Sequence, residues 1–230
     1  MSRDEGSRQS LLFPSVRPEA QLIESQKIRN QMDTLKSHPQ IHEFLERLWR
    51  KDPDTYSHCH RVADLSQWLG KEMGLSGQER VEVYLCGLLH DVGKILTPDA
   101  VLKKPGPLTP AEFGIMKLHP VDSGRMVRQI QDVAYLADAI ESHHERVDGK
   151  GYPNARKDTQ IPLFSKIVLV ADTFDAMTNN RVYRKQLDFE RTYDELKRCS
   201  GTQFDPEAAG SFINMHERFA KSFDFNKVAA

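Results

Sequence analysis

The segment that most limits the fold of this chain is an apolar helical pattern that ends in two polar residues. Between Gln78 and Gly93, apolar residues recur at the three- and four-residue spacing of one helix face. The pattern closes on His90 and Asp91, so a helix here carries an imidazole and a carboxylate into a largely buried place. Because buried polar groups need partners, we expect these two side chains to meet a metal ion.

The same helical period recurs along most of the chain, and no segment shows the alternation of a strand. The other predicted helices are Leu22–Lys36, a helix opening at Pro39, Asp54–Met73, a helix opening at Thr109, Val121–Gln129, Val133–Ser142, an apolar helix opening at Ile161-Pro162, and two closing helices. Ser76, Thr109, Asp188 and Asp205 are predicted caps. Ile95–Leu108 holds three prolines and a glycine and is predicted to be a loop. The sequence therefore predicts an all-α, compact multi-helix domain.

Composition excludes several classes of protein. Lys and Arg number 32 against 33 Asp and Glu, a net charge of −1, which argues against a binder of nucleic-acid polymers. No apolar run reaches the roughly 18–20 residues of a membrane span, and the polar start lacks a secretory signal. The three cysteines form no CxxC pattern, which is typical of reduced thiols in a cytoplasmic protein. We divide the chain into a mobile tail (1–21), an N-terminal helical extension (22–50) and a catalytic domain (51–222).

Imidazoles and carboxylates form a second pattern across the predicted helices. Its members are His58, His90, Asp91, His119, His143, His144 and Asp172. Imidazole and carboxylate without thiolate favour iron, manganese or zinc in a hydrolytic site over a structural zinc cage. Asp91 is the candidate for bridging two cations, since paired metals about 3.5–4 Å apart commonly serve phosphoester cleavage. The remaining histidines lie outside the pattern and are interpreted as ordinary surface or core residues.

A loop directly after His143 and His144 adds a third indication. It contains two glycines and a proline within Asp148–Pro153, and such a turn brings backbone close to a ligand. Beside a metal site, this favours a phosphate-bearing ligand.

These motifs together resemble the HD superfamily of metal-dependent phosphohydrolases and, within it, the HD-GYP subfamily. The motifs are His58-Cys59-His60-Arg61-Val62, His90-Asp91-Val92-Gly93-Lys94-Ile95, His119-Pro120, His143-His144 through Asp148-Gly149, and Gly151-Tyr152-Pro153. The resemblance runs from about Lys51 to Phe219. It implies a helical domain that hydrolyses cyclic di-GMP to pGpG, and onward to GMP.

The resemblance also implies roles for single residues. The seven imidazoles and carboxylates would ligate two divalent cations, iron or manganese, with Asp91 as the bridge. Some members hold a third metal through a glutamate at the position of Asp54, whose shorter side chain and place beside Pro53 favour a helix cap instead. Lys94 would stabilise charge on a phosphate. Substrate contacts would come from Lys94, Asp148, Gly151, Tyr152, Pro153, Arg181, Arg184 and Lys185, although a solvated helix end is an open alternative for the last three.

The expected chemistry is in-line attack on phosphorus by a hydroxide that bridges the two cations, without a side-chain nucleophile. Two alternatives stay open: an HD hydrolase of another cyclic dinucleotide or nucleotide, and a non-catalytic module that senses cyclic di-GMP. The helix Leu22–Lys36 is a candidate for self-association or for docking on a signalling protein.

Overall fold

The computed structural model describes residues 18–179 and 188–222. Within these residues the chain forms eleven α-helices and no strand. In chain order they are α1 (Pro18–Lys36), α2 (Pro39–Lys51), α3 (Pro53–Glu72), α4 (Gly77–Leu89), α5 (Asp99–Leu102), α6 (Pro110–Met116), α7 (His119–Val127), α8 (Ala137–Glu141), α9 (Leu163–Thr178), α10 (Phe189–Cys199) and α11 (Pro206–Ser222). The predicted all-α fold class is confirmed.

Helices α3, α4 and α9 form the centre of the core. α3 and α4 cross closely at Gly87, where a Cβ atom would lie 2.8 Å from Ala63 Cα, and α9 packs against both helices. His58 lies on α3, His90 directly follows α4, and Asp172 lies on α9. The packing of three helices therefore brings together ligand-type side chains that are far apart in sequence.

Helices α7 and α8 supply the other side of the site. The chain after α4 forms a 3₁₀ turn (Val92–Leu96) that packs against α7. Gly93 makes this contact: its N–H donates to Ser123 Oγ at 2.8 Å, and a Cβ atom would lie 2.2 Å from the carbonyl oxygen of His119. Only a residue without a side chain permits this approach, which holds His119 beside Asp91.

The four predicted helix caps agree with the structure. Ser76 and Thr109 each form a capping box, with Glu79 and Glu112 as the reciprocal partners. Asp188 accepts from the N–H of Arg191 and caps α10. Asp205 accepts backbone N–H groups in the first turn of α11.

Three predicted segments differ from the structure. The loop Ile95–Leu108 contains the end of a 3₁₀ turn and the short helix α5. Pro98 is the N-cap of α5, a position where the missing N–H costs no helical hydrogen bond and where its carbonyl accepts from Val101 and Leu102. The helix predicted to reach Gly93 ends at Leu89 instead. The chain then turns so that Gly93 packs against α7. Val133–Ser142 is a 3₁₀ turn (Gln131–Leu136) followed by α8. The buried residues of this turn recur every third position, at Ile130, Val133 and Leu136, which suits three residues per turn.

The N-terminal helix α1 packs against α4 and buries Ile28 and Met32. It begins at Pro18, inside the predicted tail, whose residues 1–17 lie outside the described ranges. The division into tail, extension and catalytic domain stays a prediction. In the described part of the chain, no helix combines the length and apolarity that crossing a membrane requires.

Candidate metal centre

Six of the seven predicted ligands converge as two groups of three. One group contains His58, His90 and Asp172, and the other contains His119, His143 and His144. Within each group, the potential ligand atoms lie within 4.8 Å of one another. Four of the five histidines in these groups are buried, and His144 and Asp172 are half-buried. Two clusters of nitrogen and oxygen donors therefore lie inside the helical core.

Asp91, the seventh residue, lies between the two groups. Its Oδ1 is 3.1 Å from His119 Nε2, while its Oδ2 is 3.3 Å from His90 Nε2 and 3.7 Å from His58 Nε2. Each carboxylate oxygen thus faces a different group. This is the arrangement expected of a carboxylate that bridges two cations.

Three of the histidine rings are oriented by the same device. His90, His119 and His143 each donate from Nδ1 to the backbone carbonyl three residues earlier, at 2.7 Å in every case. These carbonyls lie in the last turns of α4, α6 and α8, where they do not accept the regular helical hydrogen bond from the residue four positions on. Because a carbonyl can only accept, Nδ1 carries the proton and Nε2 presents its lone pair to the centre.

The protonation states of four candidate ligands also suit a metal site. Burial and the neighbouring His144 hold the pKa of His143 well below its usual value, and burial lowers the pKa of His144 to about 3. Burial alone would raise the pKa of Asp91, but the charge of Lys94 and the nearby histidines lower it far below the usual range. The pKa of Asp172 is likewise lowered, against burial, by its hydrogen bond with His58. Neutral imidazoles and ionised carboxylates are the forms that bind divalent cations.

An unsatisfied atom supports the same conclusion. His90 Nε2 is buried and makes no hydrogen bond with any described residue, and such atoms are costly unless they have a partner. Cys59 lies beside His90 and Asp91, but burial raises the pKa of its thiol well above the usual value. The nitrogen and oxygen donors therefore fit divalent cations such as iron, manganese or zinc.

His58 differs from these three histidines because its Nδ1 contacts a carboxylate and not a backbone carbonyl. Its Nδ1 lies 2.6 Å from Asp175 Oδ2, and the Asp175 carboxylate also accepts two hydrogen bonds from Arg61. Neither residue was among the predicted site residues. The available signal was the spacing: Asp175 follows Asp172, and Arg61 follows His58, by three residues, which places each pair on one helix face.

Lys94 and Asp54 have contrasting positions. Lys94 Nζ lies 2.5 Å from Asp91 Oδ2 and is mostly buried, so a positive charge adjoins the centre as predicted. Asp54 is exposed in the first turn of α3, whereas Asp52 occupies the cap position and accepts from Thr55 Oγ1 at 2.6 Å. The N-cap role that was expected of Asp54 therefore belongs to Asp52. A third metal at Asp54 stays a prediction.

The Gly-Tyr-Pro loop contacts the centre through His144. The Tyr152 ring lies 4.8 Å from the His144 ring, and the Tyr152 N–H donates to the His144 carbonyl at 3.2 Å. Gly151 is indispensable to this approach, because a Cβ atom there would lie 2.5 Å from the same carbonyl oxygen. Pro153 follows in a cis peptide bond. The loop is also held by Glu145, a buried carboxylate that sequence reasoning missed.

Glu145 accepts the N–H groups of Asn154 at 2.6 Å and Arg156 at 2.9 Å. Its side chain thus ties the end of the loop to the segment that carries His143 and His144. A glutamate directly after two histidines in the sequence was the available signal.

A cavity of about 340 Å³ opens beside this loop. Its lining includes three cationic side chains (Lys117, Arg146, Lys150), two aromatic rings (Phe113, Tyr152) and the metal-ligand candidate His144. Asp148 pairs with Arg146 through two hydrogen bonds of 2.7 and 3.0 Å, which lowers the pKa of Asp148 to about 2. Its observed contact is therefore with a basic residue of the cavity wall.

The predicted residues Arg181, Arg184 and Lys185 lie outside the described residues. Their substrate contacts stay predictions.

Comparison with known protein families identifies the domain. A family model described as "HD domain" matches residues 31–208. The chain belongs to the HD domain family. The resemblance drawn from the His-Asp and Gly-Tyr-Pro motifs is thereby confirmed. HD phosphohydrolases depend on metal ions, and the two groups of potential ligands in this HD domain agree with that dependence.

Curated relatives of this HD domain have phosphodiesterase names. The chain is 40% identical over 169 residues to a "Cyclic di-GMP phosphodiesterase" of Thermotoga maritima, covering 73% of this chain and 46% of the relative. It is 35% identical over 147 residues to a "3'3'-cGAMP-specific phosphodiesterase 1" of Vibrio cholerae, covering 64% of this chain and 34% of the relative. The chain thus spans less than half the length of either protein.

A solved structure supports the fold. The HD domain of the L. monocytogenes phosphodiesterase PgpH, in complex with cyclic-di-AMP, matches with a TM-score of 0.59. The match covers 80% of this chain and 97% of that domain at 17% identity, so the likeness concerns the fold alone.

Proposed function

We propose that this HD domain is a metal-dependent phosphodiesterase that hydrolyses cyclic di-GMP to pGpG, and onward to GMP. The observation that carries the proposal is the pair of donor groups on either side of Asp91, next to a cavity with a cationic and aromatic lining. The cyclic di-GMP phosphodiesterase of T. maritima, at 40% identity, supports this choice of substrate.

The two donor groups would hold two divalent cations, iron or manganese, with Asp91 shared between them. When bound, such cations supply Lewis acidity and lower the pKa of water so that a nucleophile exists near neutral pH. The donor set of five imidazoles and two carboxylates, without a thiolate, supports these metals. A third metal at Asp54 is the less supported variant, because Asp54 is exposed.

Side chains around the metal site would neutralise charge, bind phosphate and stack on a base. Lys94 carries a positive charge beside Asp91 and would neutralise negative charge that develops on the phosphate. Lys117, Arg146 and Lys150 give the cavity a cationic lining suited to the phosphates of a nucleotide. Tyr152 and Phe113 offer aromatic faces on which a base can stack. No side-chain nucleophile is required.

A second substrate deserves a direct test because a relative favours it. The V. cholerae relative is named for 3'3'-cGAMP, which shares one guanine and both phosphodiesters with cyclic di-GMP. The complete set of seven ligand-type residues favours hydrolysis over a purely sensory role.

Association through α1 and a cytoplasmic location remain further proposals, to be tested by sedimentation analysis and by cell fractionation.

The decisive assay measures substrate choice. Protein purified without air and loaded with Mn²⁺ is incubated separately with cyclic di-GMP, 3'3'-cGAMP and cyclic di-AMP, and products are separated by chromatography. We expect cyclic di-GMP to have the highest kcat/KM, with pGpG as the first product. The His143→Ala variant is the inactive control, because it removes one donor of the second group. Faster turnover of another dinucleotide would replace the substrate, and no turnover of any would contradict a phosphodiesterase.

A further inference from the structure

One histidine of the centre, His58, lacks the orienting contact that three of the other histidines share. His90, His119 and His143 donate to carbonyls in the last turns of helices, where the regular hydrogen bond from the residue four positions on is not formed. His58 lies within α3 (Pro53–Glu72), where the backbone carbonyls already accept helical hydrogen bonds. Its Nδ1 therefore needs an acceptor from another element.

Asp175 on α9 supplies that acceptor. Asp175 Oδ2 lies 2.6 Å from His58 Nδ1, and the opposite nitrogen, Nε2, lies 3.0 Å from Asp172 Oδ1 and 3.7 Å from Asp91 Oδ2. The ring is thus set between two carboxylates of α9, one on the side of the centre and one behind it. With the proton held on Nδ1 by Asp175, Nε2 is left to face the donor group.

The Asp175 carboxylate is itself fixed on three sides. Arg61 donates from Nε to Oδ1 at 2.6 Å and from its terminal nitrogen to Oδ2 at 2.9 Å. Asn179 donates from Nδ2 to Oδ1 at 2.9 Å. Asp175 is buried, so a charge at this position needs such partners, and they leave it little freedom to turn away from His58.

We infer that Asp175 is the positioning residue that orients His58 toward the metal, an inference that rests on the metal site of the proposed function. It also makes the two groups unequal. An ionised carboxylate behind a ligating imidazole makes the ring a stronger donor than a carbonyl does. In the group of His58, His90 and Asp172, one histidine depends on this carboxylate, whereas His119 and His143 in the other group depend on backbone carbonyls.

Titration of the metal-free chain with Mn²⁺ against a competing chelator tests the inference without nucleotide. In wild type, binding at two sites is expected. In Asp175→Asn, one site is expected to lose about 10–100-fold in affinity while the other keeps its affinity, since that is the usual effect of removing such a partner. Arg61→Gln, at a partly exposed side chain, is expected to weaken the same site to a smaller extent and decides the question if the first variant does not fold.

The matched control is Ser165→Ala. It removes a buried hydrogen bond of the same helix, from Ser165 Oγ to the Ala139 carbonyl at 2.7 Å, without touching a ligand. We expect it to bind Mn²⁺ at both sites as wild type does. Unchanged affinities in the two test variants, or an equal loss at both sites, would overturn the inference. Because no nucleotide is present, failure here is distinguishable from absence of cyclic di-GMP hydrolysis.

Discussion

Asp91→Asn is expected to weaken metal binding in both donor groups at once and to abolish turnover. The two carboxylate oxygens of Asp91 face different groups, at 3.1 Å from His119 Nε2 and 3.3 Å from His90 Nε2. Asparagine keeps the volume but replaces the carboxylate by a neutral amide with one acceptor oxygen. Losing one partner of a buried charge pair costs roughly 3–5 kcal/mol. We therefore expect metal affinity to fall by about 100-fold or more, since 1.4 kcal/mol is a factor of ten.

The measurement is metal content per chain after desalting, together with cyclic di-GMP turnover. Asp138→Asn is the control, since Asp138 is a half-exposed carboxylate whose ion pair with Arg156 lies on the surface and contributes little. It is expected to keep wild-type metal content and turnover. An Asp91→Asn protein that retains both metals would show that Asp91 is not shared between them.

Gly151→Ala is expected to reduce turnover by about 100-fold and to lower the melting temperature. A Cβ atom at this position would lie 2.4 Å from Arg146 N and 2.5 Å from the His144 carbonyl oxygen. Both are backbone atoms, so the loop must move away from the segment that carries His144. Overpacking of this kind costs about 1–3 kcal/mol, and a displacement of about 1 Å at a catalytic site can cost roughly 100-fold in rate.

Thermal unfolding followed by circular dichroism and a turnover assay check this prediction together. Gly210→Ala is the matched control, because its Cβ would meet nothing within 4 Å and alanine favours a helix. The control is expected to be as stable as wild type or slightly more so, with unchanged turnover. A Gly151→Ala chain with wild-type turnover would exclude a need for close approach at this loop.

The fold class and a list of candidate ligands could be predicted because each rests on local information. The capping boxes at Ser76 and Thr109 depend on residues three positions apart, and their geometry agrees with the structure. The histidines and carboxylates were recognised as types at characteristic positions. That they form two groups around Asp91 depends on how α3, α4, α7, α8 and α9 pack, which periodicity does not specify.

The supporting residues were missed for a related reason. Asp175 and Arg61 meet across 114 positions of sequence, so their ion pair has no local signal except the three-residue spacing from Asp172 and His58. Glu145 acts on the backbone of Asn154 and Arg156, which only the folded loop brings near. The short helix α5 was missed because the three prolines of this segment indicated a loop, whereas Pro98 is in fact the N-cap of a helix.

The metal content of wild-type protein tests the central claim most directly. The chain is purified without air, or reconstituted with iron or manganese, and its metal ions per chain are counted after removal of unbound metal. We predict about two divalent ions per chain, held by the groups on either side of Asp91. A chain that binds no metal after reconstitution with either iron or manganese would contradict the assignment of these residues as a metal centre.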